Sequence, residues 1–220
     1  MGGETITTGQ TARGDRDQRR RDVLAAAARV LEERGWDEFS IRDVAERAGV
    51  SGGAVYQWFS GKGEIWARLQ TARFEADTEE IEGWPSDLAP GELVHRLVSI
   101  IATNHVDLGR HRFEFVRGLK GRIPAYAEEL SNAQAVLSHA VASRLLSVHV
   151  REPPANHAAR VSWFWAVAKG VGDHMVDSRF EVLGVDRTLF LDTTAECLLA
   201  GLRAESPATV RRAGNDEHTG

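Results

Sequence analysis

The chain has 220 residues, 42% of them hydrophobic, enough for a sizeable core. Its net charge of −5 argues, taken alone, against nucleic acid as a partner. The single cysteine, Cys197, excludes an internal disulfide and fits a reducing cytoplasm; no apolar run approaches a membrane span.

Residues 1–14, MGGETITTGQTARG, carry no apolar stretch of the secretory kind and read as a disordered arm. A first helix is predicted from about Asp15 to Arg34. Val23, Leu24, Ala27, Val30 and Leu31 recur there at helical spacing, and Gly35 stops the run. Arg13, Arg16, Arg19, Arg20 and Arg21 crowd its entry, a pattern that reaches phosphates or simply faces water among Asp15, Asp17 and Asp22. Trp36 and Phe39 are expected to close a small three-helix core. Charge is distributed unevenly. Residues 13–66 hold ten basic and ten acidic side chains, and residues 67–220 hold seventeen and twenty-one. The acidity therefore lies away from the N-terminal segment.

The segment SIRDVAERAGVSGGAVYQWFSGKGEI, residues 40–65, is the most informative. Ser40 suits a helix N-cap, and Asp43 adds a favourable acid in the first turn. Ile41, Val44, Ala45 and Ala48 form the apolar side of a short helix. Gly49 suits the left-handed position that ends it. Ser51 then caps a second short helix, Gly52 to Phe59. Gly52 and Gly53 make that helix intrinsically weak, but they admit close approach of something bulky. Two short helices joined by a tight glycine turn form a helix-turn-helix, which lays its second helix in the DNA major groove.

These residues carry a family resemblance. Ser40, Ile41, Arg42, Val44, Ala45, Ala48, Gly49, Val50, Ser51, Gly53, Val55, Tyr56, Phe59, Lys62 and Ile65 fill the N-terminal pattern of the TetR-type bacterial transcription regulators, which the chain resembles over its first third. Trp58 departs from it, standing where His or Tyr is usual. The resemblance implies a homodimer on a pseudo-palindromic double-stranded DNA operator, with phosphate contacts from the positions of Ser51, Tyr56 and Lys62. It also implies base contacts from the positions of Arg42 and Gln57. The chemistry of these side chains agrees. Hydroxyls, a phenol and an ammonium donate to phosphate oxygens. Lys62 begins a helix, where backbone N–H groups add to anion affinity. Arg42 suits a guanine edge, Gln57 an adenine edge and Ala54 a thymine methyl. Ser40, Gly53 and Trp58 complete the candidate DNA-binding set; the Trp58 indole N–H either donates one bond or packs.

The remainder reads as helices: Lys62 to about Glu82, Glu92–Gly109, His111 to about Lys120, about Ala125–Val150, Ala155–Phe180 and Asp186–Ala204. Residues 205–220 read as a disordered tail. The helix 155–180 has two apolar faces, Val161, Phe164, Trp165, Ala168 and Met175 on one, Trp163, Val167, Gly170 and His174 on the other. The helix 186–204 repeats this with Leu191, Ala195, Leu198 and Leu202, and with Phe190, Thr194, Cys197 and Gly201. Two such helices per subunit suit an intersubunit four-helix bundle, and the resemblance implies the same arrangement; a large monomer core is the alternative. Cys197, among apolar residues, is expected to be an inert core thiol.

Asn104 and His105 share a face with Leu97, Ile101 and Leu108. With Phe113 and Trp165 they are the candidate lining of a site for a small apolar or aromatic effector, a satisfied core pair being the alternative. The eight histidines show no metal-ligand spacing, and Asp173-His174 lacks a nucleophile, so no metal, cofactor or catalytic residue is assigned. The expected architecture is all-α. A disordered arm (1–14) precedes a helix-turn-helix DNA-binding domain (15–61). A helical effector-binding and dimerisation domain (62–204) and the tail (205–220) follow. The expected role is a cytoplasmic, ligand-released repressor rather than an enzyme. Its rivals are a helical enzyme or small-molecule carrier that merely contains a helix-turn-helix, and an architectural DNA binder without a ligand.

Overall fold

The computed structural model describes residues 8–118, 124–146, 148, 154–176 and 181–204, and every regular element among them is helical. In chain order these are α1 Thr8–Glu38, α2 Ile41–Arg47, α3 Gly52–Trp58, α4 Lys62–Gly83, α5 Pro90–Gly118, α6 Ala125–Leu146, α7 Pro154–Val176 and α8 Arg187–Arg203. A single 3-10 turn, Glu181–Leu183, precedes α8. No helix among the described residues is long and apolar enough to cross a membrane.

The helices begin and end for local reasons. α1 starts at Thr8, earlier than the expected Asp15, so helical backbone runs through much of the presumed arm; residues 1–7 and the tail from 205 lie outside the described residues. Gly35, at φ 70° and ψ 178°, breaks the regular helix where expected. The two helices predicted on either side of Arg110 are one helix of 29 residues. A lone glycine inside a helix costs only about 1 kcal/mol relative to alanine, and Gly109 does not end this one.

Contacts divide the chain into two units, Met1–Arg73 with Glu114–Ala133 and Phe74–Phe113 with Gln134–Gly220. In the first, α1 packs on α2 and α2 on α3. Val23, Ala27 and Val30 of α1 are buried, as are Val44 and Ala45 of α2, Val55 of α3, and Phe39 and Phe59 beside them. The stripe predicted on α1 holds at these positions, and Phe39 closes the core as expected. The Trp36 side chain lies outside the described residues.

In the second unit, one cluster joins Ile81 of α4, Leu97 and Ile101 of α5, Leu137 and Leu145 of α6, Phe164 of α7 and Leu198 of α8. Two arginines close helix ends over it. Arg144 donates to the carbonyls of Ile81 (3.0 Å), Glu82 (2.9 Å) and Trp84 (2.6 Å). Arg160 does the same for Gly201 (2.8 Å) and Leu202 (2.9 Å). The last carbonyls of a helix have no partner within it, and a guanidinium carries enough donors to satisfy several at once.

Both faces read on α7 and α8 are present. Phe164, Ala168 and Met175, with Leu191, Ala195, Leu198 and Leu202, face the core. The second faces remain outside it. Trp163 is 40% exposed, Gly170 is exposed, and Val167, Phe190 and Thr194 are half-buried. Cys197 also stands on this outer side and is exposed, correcting the expectation of a buried thiol. One position along a helix turns the side chain by about 100°, so burial of Leu198 carries Cys197 out of the core.

Candidate nucleic-acid interface

The helix-turn-helix is built from short-range bonds that the sequence specifies. The Ser40 hydroxyl accepts the Asp43 N–H at 3.2 Å and donates to the Asp43 carboxylate. This resembles a capping box, with the shorter acid bonding the cap's hydroxyl instead of its backbone. At the other end of α2 the Gly49 N–H reaches the Glu46 carbonyl at 3.2 Å, and the Val50 N–H reaches Ala45 at 3.0 Å. That pair of bonds is a Schellman motif, which requires a left-handed residue after the cap; Gly49 has φ 66°. The Ser51 hydroxyl then accepts the Ala54 N–H at 3.1 Å and opens α3. Each of these ends matches its expectation.

Ion pairs fix α2 against α1. Arg34 meets Asp43 at 3.0 Å, and Arg47 meets Glu33. The Ser40 hydroxyl, seconded by the Arg34 charge, holds the Asp43 carboxyl below its usual range. The Arg47 guanidinium does the same for Glu33 by hydrogen bonding, and is itself held further toward its charged form.

With Val55 and Phe59 buried, the rest of α3 faces outward. Ser51, Gly53, Tyr56 and Gln57 are exposed, Tyr56 at 61%, and Ala54 and Trp58 are half-buried. Arg42 of α2 is exposed as well. A Cβ at Gly52 would meet nothing within 4 Å, and one at Gly53 only the Ser51 hydroxyl at 3.9 Å. Packing inside the chain therefore does not demand these two glycines. Ser40 is half-buried, its hydroxyl engaged with Asp43.

Phe59 ends α3 in an extended conformation, and Gly61 leads into α4. Glu64 accepts from the Ser60 N–H at 2.8 Å and from its hydroxyl at 2.9 Å, which closes this N-terminus. Lys62, half-buried, holds its ammonium 5.6 Å from the centre of the Phe39 ring. Arg20 lies 5.4 Å from the centre of the Phe59 ring, while Arg16, Arg19 and Arg21 are exposed. Sequence reasoning treated the arginine run as uniform; this stacking separates Arg20 from it. The ion pair of Arg68 with Glu129 on α6 was likewise unseen, since partners so distant in sequence leave no local pattern.

The candidate effector residues lie elsewhere. Asn104 is buried at 5% exposure and donates to the Asp77 carboxylate. Trp165 is half-buried against the second core, with Lys169 5.8 Å from its ring centre. His105 and Phe113 lie on α5, and their side chains are outside the described residues.

Three short helices with a Schellman turn between the second and third, the last presenting an outward polar face, define a helix-turn-helix protein. Residues 23–69 match the model of the bacterial regulatory proteins of the tetR family. The chain is 40% identical over 67 residues to the HTH-type transcriptional activator FasR of Mycolicibacterium smegmatis, covering 29% of this chain and 31% of FasR. It is 35% identical over 92 residues to the HTH-type transcriptional regulator PksA of Bacillus subtilis, covering 41% of this chain and 45% of PksA. The matched segments span less than half the length of these two relatives. The whole fold is similar to the crystal structure of a tetR-family transcriptional regulator from Streptomyces coelicolor, with a TM-score of 0.61 at 20% identity over 84% of this chain and 80% of that one. The chain belongs to the TetR family.

Proposed function

We propose that this protein is a cytoplasmic transcription regulator that binds a pseudo-palindromic operator as a homodimer and is released by a small molecule. One observation carries the DNA-binding part. Arg42, Ser51, Tyr56 and Gln57 are exposed around a glycine pair against which the chain packs almost nothing of its own. A duplex explains both features, since phosphates and base edges take the polar groups and the glycines let the backbone approach.

In this reading residues 15–61 are the DNA-binding domain. Residues 62–204 hold the effector site and the dimer contact. The outer faces of α7 and α8, with Trp163, Gly170 and Cys197, meet those of a second copy. Adjacent major grooves on one side of B-DNA lie about 34–36 Å apart, so a dimer binds only in conformers near that spacing. α4 contributes residues to both units and is the covalent route by which an effector alters it. A ligand that favours the misaligned conformer releases DNA, and operator must weaken ligand binding by the same factor. Release of this kind makes the protein a repressor wherever the operator overlaps a promoter. FasR, by contrast, is named an activator.

Selection of bound duplexes from random sequence tests the reading. A palindromic consensus with two half-sites and a steep salt dependence is the expected result. Binding without a consensus sinks the regulator and favours an architectural role.

A further inference from the structure

The buried pair Asp77–Asn104 has a property that the fold does not use. Both side chains are nearly withdrawn from solvent, at 4% and 5% exposure. Asn104 donates its amide N–H to the Asp77 carboxylate. That bond fixes the orientation of the amide, because the reverse would set a carbonyl oxygen against a carboxylate oxygen, two acceptors without a proton between them. The Asn104 carbonyl oxygen is therefore turned away from Asp77, and it is buried without a hydrogen-bond partner. Buried polar atoms are paired in the great majority of cases, and an unpaired one requires an explanation.

The surroundings are apolar. Phe74 and Ile81 flank Asp77 along α4, and Leu97, Val98 and Ile101 precede Asn104 on α5; all five belong to one packed cluster. A carboxylate and a free carbonyl in apolar walls present only acceptors. What satisfies them must bring donors, and a negatively charged group is repelled by the carboxylate with little screening.

We propose that Asp77 and Asn104 form the polar anchor of the effector site and select a ligand with a hydrogen-bond-donating headgroup, an ammonium, hydroxyl or amide N–H, on an apolar body. Free carboxylates and phosphates are excluded. This rests on the reading of the protein as ligand-responsive, and it narrows the class of ligand.

Three probes that share one alkyl chain test it: octylamine, 1-octanol and octanoate, each titrated into the full-length protein by calorimetry below its aggregation limit. Octylamine and octanol are expected to bind and octanoate not to. Asn104→Leu should weaken octylamine and octanol about tenfold, the effect of losing one good hydrogen bond. Asp77→Asn keeps a polar pair while removing the charge, so it should erase the preference for octylamine over octanol and admit octanoate. Circular dichroism of both variants confirms that they remain folded. Octanoate binding as tightly as octylamine, no binding by any of the three, or affinities indifferent to both variants would overturn the proposal. A separate readout keeps the two readings distinct. If octylamine binds through Asn104 but leaves operator affinity unchanged, the anchor stands and ligand-controlled DNA release falls.

Discussion

Arg47 of α2 meets Glu33 of α1 fork to fork, with both guanidinium nitrogens 2.5 Å from the two carboxylate oxygens. A second pair, Arg34 with Asp43 at 3.0 Å, joins the same two helices. The attitude of the helix-turn-helix on its supporting helix therefore depends on two ionised carboxylates. Both are held below their usual values of 4.5 for Glu33 and 3.8 for Asp43. A carboxyl with a depressed value in the folded state contributes stability above its unfolded value and loses it as pH falls through the folded one. Melting temperature should thus fall below about pH 4.5. Glu33→Gln and Asp43→Asn together should flatten that acid limb while changing stability at pH 7 only slightly, because exposed pairs contribute little. An acid limb unchanged in the double variant assigns it to other carboxylates.

The turn between α2 and α3 makes a sharper demand. Gly49→Ala places a side chain at φ 66°, which should cost roughly 1–2 kcal/mol. Ser51→Ala removes the hydroxyl that accepts the Ala54 N–H and should cost about 1 kcal/mol. Urea denaturation measures both. A Gly49→Ala protein as stable as the parent would show that the turn relaxes into another conformation.

DNA contacts separate by their salt and sequence signatures. Lys62→Ala is expected to weaken binding to every duplex alike and to reduce the salt slope by about one unit. Because the Lys62 ammonium also packs on Phe39, a melting curve must accompany the measurement. Arg42→Ala should instead relax one operator position, with about 1–3 kcal/mol of discrimination lost there. An unaltered consensus after selection on the Arg42 variant removes it from the base readers.

The dimer proposal is best probed on the outer faces of α7 and α8. Leu198 is 2% exposed inside its own chain, so a charge there would unfold the second unit and say nothing about association. Gly170 is exposed, and a Cβ there meets nothing within 4 Å. Gly170→Glu is expected to give a folded monomer in sedimentation, with operator binding lost. A monomer that holds a full palindrome at wild-type affinity defeats the proposal.

Much of the N-terminal unit was legible because its bonds are local. Ser40 to Asp43, Ser51 to Ala54 and the Gly49 turn all close within a few residues, and each pairing depends on a residue type visible in the chain. Helical periodicity similarly exposed the buried rows of α7 and α8. It could not rank one apolar face against another, since a core face and a partner face share the same spacing. Only the packed fold decided that Leu198 turns inward and Cys197 outward. Only the fold brought Arg68 to Glu129, Arg144 to the end of α4, and Asn104 to Asp77. Those partners are far apart along the chain, and no short-range rule of capping, turn or period connects them. Their meeting follows from how four or five helices share one apolar core, which is a property of the whole arrangement and not of any segment.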